Sequence, residues 1–245
     1  MTVQVQLGTP DVCVAIDAAI VDLDGTMVDT MGDFAAAIDG MLHDLQLPAL
    51  PVQAIAHMVG KGTEHLLRSV LAHVLATPGA AADVVAAGVA QYFAPAQARY
   101  QHHYLAINGQ HAQVYPGVQA GLRALREAGV RLACVTNKPL AFTTPLLAAK
   151  GLDDLFDHVF GGDSFAHKKP HPLPLLQACA ALGTQPARTL MIGDSSNDAQ
   201  AGHAAQCPVL LVSYGYNHGV PIRAVPAAAY VDSLAQLQVQ GRTSA

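Results

Sequence analysis

The chain has 245 residues, 51% of them hydrophobic, and carries a formal net charge of −5. That apolar content is enough for a buried core, while the absence of a basic run argues against nucleic acid as a partner, because a phosphate backbone is bound by clustered Lys and Arg. No stretch approaches the roughly 20 apolar residues of a membrane span, and the N-terminus has no secretory pattern. We therefore expect a cytoplasmic protein with no membrane partner. The widely spaced cysteines predict neither a disulfide framework nor a zinc cluster.

The first predicted strand, residues 19–22, ends in two closely spaced carboxylates, Asp22 and Asp24. In an extended chain, residues two apart project to the same side, so the pair repels unless a cation lies between its members. A lone pair of this kind is also typical of turns, where Asp is common. Its meaning therefore depends on what the rest of the chain brings beside it.

Residues 30–111 are predicted to form a helical unit inserted after the first strand. They contain helical stretches at 32–45 and 62–76 and no convincing strand. Because this segment separates the first strand from the next by roughly a hundred residues, we interpret it as an inserted domain. Asp29 and Thr30, at its start, are expected to cap its first helix rather than act in catalysis. The core domain then comprises residues 1–29 and 112–245.

The rest of the chain alternates short apolar runs with helical segments. The predicted strands are 131–136, 157–160, 189–193 and 209–213, and the predicted helices are 117–129, 140–149 and 173–182. This alternation predicts parallel strands joined by crossover helices, and the near-continuous apolar content suits strands covered on both faces. We therefore predict an α/β fold with a Rossmann-like parallel sheet.

Polar side chains follow four of these strands. They are Asp22, Asp24 and Thr26 after the first strand, Thr136, Asn137 and Lys138 after the second, Lys169 after the third, and Asp194 and Asp198 after the fourth. Ligands bind beyond the carboxyl ends of strands in open parallel sheets, so one rim gathers carboxylates, hydroxyls and lysines. Each cluster alone is compatible with a turn or a helix start, but their common placement indicates a site.

This combination of side chains predicts phosphate chemistry. Carboxylates on such spacing suit Mg²⁺, which takes one or two protein carboxylates and shares its other positions with water and phosphate. Threonines, backbone amides and a lysine can hold phosphate oxygens. One carboxylate is then free to attack phosphorus and form an aspartyl phosphate, and another can protonate the leaving oxygen and then activate water. The predicted partner is a small phosphorylated metabolite, with Mg²⁺ as cofactor.

The four clusters resemble, in order, the motifs of the haloacid dehalogenase superfamily of phosphotransferases. The matching stretches are DLDGT at 22–26, Thr136, the Lys-Pro pair at 169–170 and GDSSND at 193–198. The resemblance implies that Asp22 is the nucleophile and Asp24 the general acid and base. It implies Mg²⁺ ligands from the side chains of Asp22 and Asp194 and from the backbone carbonyl of Asp24. Asp198 is then expected close to the water shell of the metal.

The same resemblance extends to the phosphate-binding residues and the helical unit. Thr136, the amide of Asn137 and Lys169 are expected to hold the phosphoryl group, and Thr26 is a further candidate. Lys168 does not precede Pro and is expected to be a solvated neighbour. The inserted unit matches the α-helical cap of the family, which closes over the site and excludes water.

Four further stretches narrow the resemblance to phosphoglycolate phosphatases. They are VGKGTEHLL, TNKP, GGDSFAHKKPHPLPL and VSYGYNHG. The implied activity is Mg²⁺-dependent hydrolysis of 2-phosphoglycolate to glycolate and phosphate by a monomer or homodimer. The alternatives on the same core are a sugar-phosphate phosphatase, a β-phosphoglucomutase-like phosphotransferase and a phosphonate hydrolase in which Lys61 forms a Schiff base with an aldehyde. Asp24 argues against a dehalogenase, and the inserted unit argues against a receiver-like binding module.

Lys61 is the candidate substrate contact in the helical unit. Glycines on both sides allow a close backbone approach, and a cation there suits the carboxylate of 2-phosphoglycolate. The alternative is an exposed lysine at a helix start. Arg68 is expected at the surface, and the eight-residue spacing of His57, His65 and His73 is too wide for a shared metal.

Overall fold

The computed structural model describes residues 2–9, 12–76, 78 and 80–243. The strands are β1 (Thr2–Leu7), β2 (Cys13–Ile16), β3 (Ala18–Val21), β4 (Val28–Asp29), β5 (Gln113–Val114), β6 (Arg131–Val135), β7 (His158–Phe160), β8 (Thr189–Gly193), β9 (Val209–Val212), β10 (Ala229–Val231) and β11 (Leu237–Thr243). The α-helices are α1 (Met31–Asp44), α2 (Val52–Ala56), α3 (Thr63–Leu75), α4 (Ala82–Ile107), α5 (Val118–Glu127), α6 (Leu140–Ala149), α7 (Leu173–Leu182) and α8 (Ser196–Ala205).

A six-stranded parallel sheet with the order β10-β9-β8-β3-β6-β7 forms the centre of the molecule. It contains the five predicted strands, each within one residue of its predicted bounds, so the predicted α/β fold is confirmed. The predicted helices α5, α6 and α7 are also present. Because β3 lies between β6 and β8, the residues that follow it are flanked by the ends of both neighbours.

Strand β3 is buried on both faces. Ala19 and Val21 pack in one hydrophobic cluster with residues of α5 and α6, whereas Ala18 and Ile20 pack in another with residues of α7 and α8. Alternate residues of a strand point to opposite faces, so this short strand contributes to both halves of the core. A shift of β3 by one residue in the sheet would move its side chains to the opposite faces. The burial of both faces therefore fixes the register of β3 and the position at which the site begins.

A three-stranded antiparallel sheet, with the order β11-β1-β2, was not predicted. Residues 13–21 read as one apolar strand in the sequence, but the chain bends at Asp17, whose carboxylate pairs with Arg188 at 2.7 Å. β2 therefore pairs with β1, while β3 enters the parallel sheet. The alternation of apolar and polar residues in β1 is the signal that indicates this extra sheet.

Helices α1 to α4 form a unit with its own hydrophobic cluster, which includes Phe34, Leu67 and Tyr104. Within the described part of residues 30–111, these helices alternate with turns and loops, and no strand occurs. That this unit acts as a separate cap domain stays a prediction. None of the described helices combines the length and hydrophobicity needed to cross a membrane.

The chain enters and leaves the helical unit through a two-stranded antiparallel ribbon, in which β4 pairs with β5. Just beyond the ribbon, the fully buried carboxylate of Asp33 accepts hydrogen bonds from the backbone N–H groups of Gly109 (2.7 Å) and His111 (2.8 Å). Hydrogen bonds to a charged group are stronger than those between neutral groups. The first and last residues of the helical unit are therefore held next to each other beside the β4–β5 ribbon.

Candidate active site

Three carboxylates meet at the carboxyl ends of β3 and β8. Asp22, Asp194 and Asp198 each place one oxygen within 4.8 Å of the others. All three are at least nine-tenths buried. Asp24 follows the same strand but directs its carboxylate elsewhere, so the predicted four-carboxylate rim divides into a group of three and one separate acid.

Lys169 is the cation of the three-carboxylate group. Its ammonium lies 2.8 Å from Asp22 and 2.7 Å from Asp198, and its side chain is almost completely buried. The contact with Asp198 is a hydrogen bond, and the contact with Asp22 Oδ1 is an ion pair. Apart from this ion pair, the buried Asp22 Oδ1 has no hydrogen-bond donor among the described residues. An oxygen in that state is suited to attack an electrophile or to bind a cation.

The electrostatics of the group favour uptake of positive charge. Burial, together with the charge of Asp198, raises the pKa of Asp22 from 3.8 to about 7 despite the nearby Lys169. Burial and the charges of Asp198 and Asp22 raise the pKa of Asp194 well above its ordinary value. For Lys169, burial lowers the pKa, but the two carboxylates outweigh burial and raise it above its ordinary value. The lysine therefore remains a cation beside carboxylates that are costly to ionise.

Asp198 is held from two directions. One oxygen accepts the hydrogen bond from Lys169, and the other accepts from the backbone N–H and the hydroxyl of Ser195, at 3.1 and 2.6 Å. These last contacts form the start of α8. With both oxygens engaged, Asp198 is well placed to position Lys169, and its contact with a metal stays a prediction.

Asp194 is fixed by the loop after β3 and by the loop after β9. The hydroxyl of Thr26 donates to Oδ1 at 2.9 Å, and the backbone N–H of Tyr216 donates to Oδ2 at 2.5 Å. A Cβ on Gly25 would lie 2.3 Å from Oδ2, and Gly25 has a φ of +84°. A glycine is therefore required at this close approach.

Asp24 forms an ion pair with Lys138. The ammonium lies 2.9 Å from one carboxylate oxygen and 3.2 Å from the other, and the hydroxyl of Thr30 donates to the first oxygen at 2.8 Å. Thr30 lies at the N-cap of α1 as predicted, but its hydroxyl makes no capping bond. Asp29 instead accepts the N–H of Met31 at 3.1 Å. The start of the helical unit is thus attached directly to the second carboxylate.

A cavity lies between this group of residues and the helical unit. The core contributes Asp22, Asp24, Thr136, Asn137, Lys138 and Phe142, and the helical unit contributes Phe34, Val59, Gly60, Gly62, Thr63, Leu66 and Tyr100. The carbonyl of Gly60 accepts one hydrogen bond from Asn137 and one from Asn197, both 3.1 Å long. The loop of the helical unit is therefore held against the core, over the carboxylates.

The predicted phosphate-binding residues occupy different positions around the cavity. Thr136 lines it, and its hydroxyl oxygen accepts the N–H of Lys138 at 3.2 Å. The Asn137 side chain donates to the carbonyl of Lys169 at 2.8 Å and accepts its N–H at 3.0 Å, which fixes the Lys169 backbone. The hydroxyl of Thr26 is engaged with Asp194. Phosphate binding by these residues stays a prediction.

Lys61 is exposed and is not part of the cavity lining, although Gly60 and Gly62 on either side of it are. Its contact with substrate stays a prediction. Lys168 is exposed, and Arg68 pairs at the surface with Glu64 at 2.9 Å. Lys61 therefore lies in the loop that borders the cavity, between two lining glycines, with its own side chain exposed.

The sequence placed Lys138 at the rim of the sheet but gave it no role, and it gave Tyr216 none. Lys138 lies in the TNKP stretch. Its position after an apolar strand indicated a cation at the rim but did not indicate where the side chain points. Tyr216 lies in VSYGYNHG; besides its N–H bond to Asp194, its hydroxyl accepts the N–H groups of Thr30 and Met31 at 2.9 and 3.1 Å. Tyr216 therefore connects the acidic group with the start of the helical unit.

The three-carboxylate group can hold a metal ion. When all three are ionised, Lys169 neutralises one charge and two negative charges remain. Asp22 Oδ1, which contacts the Lys169 ammonium, can supply a ligand atom, and all the ligands are oxygens, as hard cations prefer. The donor set therefore fits a hard divalent cation.

Comparisons with known proteins agree with this geometry. A family model described as haloacid dehalogenase-like hydrolase matches residues 16–206. A phosphoglycolate phosphatase from Thiobacillus denitrificans is 41% identical over 222 residues, which cover 90% of this chain and 93% of that protein. A second, from Cupriavidus necator, is 43% identical over 221 residues and 90% of each chain.

A solved structure gives the same result for the fold. The crystal structure of a predicted phosphoglycolate phosphatase from Haemophilus somnus has a TM-score of 0.81 and 32% sequence identity. It covers 90% of this chain and 95% of its own. The resemblance seen in the four motifs is thereby confirmed: the chain belongs to the haloacid dehalogenase-like hydrolase family.

Proposed function

We propose that this protein is a Mg²⁺-dependent phosphatase that hydrolyses 2-phosphoglycolate to glycolate and inorganic phosphate. The observation that carries the proposal is Asp22, which lines the cavity, pairs with Lys169 and places an oxygen within 4.8 Å of Asp194 and Asp198. The substrate is supported by the relatives named phosphoglycolate phosphatases, which match about nine-tenths of this chain.

Asp22 and Asp194 would hold Mg²⁺ through their carboxylates, with the carbonyl of Asp24 and the carboxylate of Asp198 nearby. Bound there, Mg²⁺ supplies positive charge that offsets both the nucleophile and the phosphoryl oxygens. The residues of this chain provide the rest. Lys169 remains a cation beside Asp22 and therefore stabilises the negative charge that develops on the phosphoryl group.

In the first step, an oxygen of Asp22 attacks phosphorus and the bond to the ester oxygen breaks. In its protonated form, Asp24 donates a proton to that oxygen, so that glycolate leaves as the alcohol. Asp22 then carries the phosphoryl group as an acyl phosphate. The two acids have separate partners, because Asp22 pairs with Lys169 and Asp24 pairs with Lys138.

In the second step, Asp24 accepts a proton from water as the water oxygen attacks phosphorus. The bond between phosphorus and Asp22 breaks, inorganic phosphate is released, and both carboxylates return to their initial state. The helical unit supports this sequence by covering the carboxylates with mainly apolar residues such as Val59 and Leu66, which limits water around the reacting groups.

The test is a phosphate-release panel with 2-phosphoglycolate, sugar phosphates and nucleotides, each with Mg²⁺ or with EDTA. We expect 2-phosphoglycolate to have the highest kcat/KM and EDTA to abolish turnover. Asp22→Asn should lower kcat by at least about 10³-fold, the size of loss seen when a nucleophile is removed. Asp39→Asn, at an exposed position of α1, is the matched control.

Equal phosphate release by the wild type and Asp22→Asn would contradict the assignment of the nucleophile. Sugar phosphates that outperform 2-phosphoglycolate would contradict the substrate while leaving the phosphatase chemistry intact. Hydroxylamine provides an independent readout, since it converts an acyl phosphate to a hydroxamate, and the modified peptide should contain Asp22.

A further inference from the structure

Lys138 is a buried cation that contacts both halves of the molecule. Its ammonium pairs with Asp24 and also lies 4.5 Å from the ring centroid of Phe34 and 4.6 Å from that of Tyr104. Both rings belong to the helical unit. Aromatic faces attract a cation without accepting conventional hydrogen bonds, so they hold the ammonium in place and leave its N–H groups for anions.

The backbone around Lys138 is also anchored. Its N–H donates to the hydroxyl of Thr136 at 3.2 Å, and its carbonyl accepts the N–H of Gly162 at 2.7 Å. The turn at the end of β6 is therefore held in place, and the Lys138 side chain extends from it to the cavity wall. A site for an anion requires this kind of fixed charge.

Lys138 is the cation of the cavity lining among the described residues. The wall from the helical unit consists mainly of apolar and aromatic side chains, including Val59, Leu66 and Tyr100. Lys61 is exposed and lies outside the lining. Lys138 is therefore the lining cation available to a second anionic group of a bound phosphomonoester.

The chemistry of the proposed substrate places its carboxylate at the same point. In 2-phosphoglycolate a single methylene joins the ester oxygen to the carboxylate. The acid that protonates the ester oxygen and the cation that binds the carboxylate must consequently be close neighbours. Asp24 and Lys138 satisfy this condition, since their charged atoms are 2.9 Å apart.

We propose that Lys138 is a specificity-determining residue that binds the carboxylate of the substrate and so selects phosphomonoesters with a carboxylate one carbon from the ester oxygen. The inference rests on the proposed function. An ammonium has three N–H donors, so Lys138 contacts Asp24 and the substrate carboxylate together. Lys138 therefore holds Asp24 in place and also sets how far the substrate carboxylate lies from the ester oxygen.

The experiment compares Lys138→Met with the wild type on 2-phosphoglycolate and on 2-hydroxyethyl phosphate, in which a neutral CH₂OH replaces the carboxylate. Both substrates are expected to lose kcat/KM, because Lys138 also contacts Asp24. The readout is the kcat/KM for 2-phosphoglycolate divided by the kcat/KM for 2-hydroxyethyl phosphate. This ratio should fall at least about tenfold in Lys138→Met, as expected for loss of a charge-assisted hydrogen bond. Arg123→Met, which removes a positive charge at an exposed position of α5, should leave this ratio within about twofold.

An unchanged ratio in Lys138→Met, with 2-phosphoglycolate still hydrolysed, overturns the inference and leaves the proposed function standing. A wild type that releases no phosphate from 2-phosphoglycolate contradicts the proposed function itself. A measurement on the wild type alone covers the case in which Lys138→Met does not fold. The kcat/KM for 2-phosphoglycolate should exceed that for its uncharged primary amide by at least about tenfold, and equal values overturn the inference.

Discussion

Asp22 and Asp24 lie two residues apart after the same strand, yet each faces a different lysine in a different environment. Lys169 is shared between Asp22 and Asp198, and all three belong to the core. Lys138 is paired with Asp24 and covered by two rings from the helical unit. The end of the cavity around Asp22, the nucleophile end, is therefore formed by core residues alone. The end around Asp24, the leaving-group end, is formed by residues of the core and of the helical unit.

This difference suggests how chemistry and selectivity are divided. Changes at the nucleophile end should affect every substrate and the stability of the core. Changes at the leaving-group end or at the loop that covers it should depend on the substrate and cost less stability. Three predictions test this division.

The largest effect is expected from Lys169→Met. It leaves Asp22, Asp194 and Asp198 buried without their cation, and breaking a buried ion pair costs about 3–5 kcal/mol. In EDTA the Tm should fall by roughly 10 °C for a protein of this size, and with Mg²⁺ the kcat should fall by about 10²–10³-fold for all substrates. Calorimetry and phosphate release provide the two measurements.

Lys168→Met is the neighbouring control, since Lys168 is exposed. A similar loss of Tm and kcat in both variants would show that the effect comes from the loop and its net charge. An unchanged Tm in Lys169→Met would show that the carboxylates do not depend on this lysine.

The second prediction concerns pH. Burial raises the pKa of Asp22 to about 7 and raises that of Asp194 as well. Between about pH 4 and pH 7 the folded protein therefore binds more protons than the unfolded chain, so these groups make it less stable as pH rises. Because Mg²⁺ and protons compete for the same oxygens, the increase in Tm on adding Mg²⁺ should be larger at pH 7.5 than at pH 5. Circular dichroism suits this measurement, because the chain has no Trp.

The comparison with and without Mg²⁺ at each pH removes the contribution of groups elsewhere in the chain. A Mg²⁺-induced change in Tm that is equal at both pH values would contradict the assignment of the raised pKa values to the cation site. Asp22→Asn should reduce the difference between the two pH values, since it removes one of the titrating ligands.

The smallest effect is expected from Asn197→Ala, which removes one of the two hydrogen bonds to the carbonyl of Gly60. A hydrogen bond contributes about 1 kcal/mol, so kcat/KM should fall about fivefold while Asn137 still holds the loop. Gln200→Ala, at an exposed position of the same helix, is the control. A loss as large as that of Lys169→Met would contradict the proposed division.

The sequence supports prediction of the core because its strands are short, apolar and followed by polar residues. A buried parallel strand has few ways to be placed in a sheet, so Asp22, Asp194 and Lys169 come together once the strand ends are known. The division of residues 13–21 into β2 and β3 escaped prediction because the bend at Asp17 is held by a distant partner, Arg188. Pairing over such a separation has no local signal.

The site shows the same limit. That Thr136 and Asn137 lie at the end of β6 follows from the strand pattern, but the direction of Lys138 depends on a turn and on rings in the helical unit. Lys61 illustrates the reverse case, because its flanking glycines marked a loop at the cavity while its own side chain remained exposed. Local spacing predicts which backbone is near the site and does not predict where a long side chain points.

The ribbon formed by β4 and β5 has a consequence for how such a protein diversifies. The chain enters and leaves the helical unit side by side, and Asp33 ties the two ends together. A segment with adjacent ends can be lengthened, shortened or exchanged by recombination without moving the strands that precede and follow it. Residues 31–107 can therefore accumulate changes in the cavity wall while the register of β3, and with it the position of Asp22, is inherited unchanged.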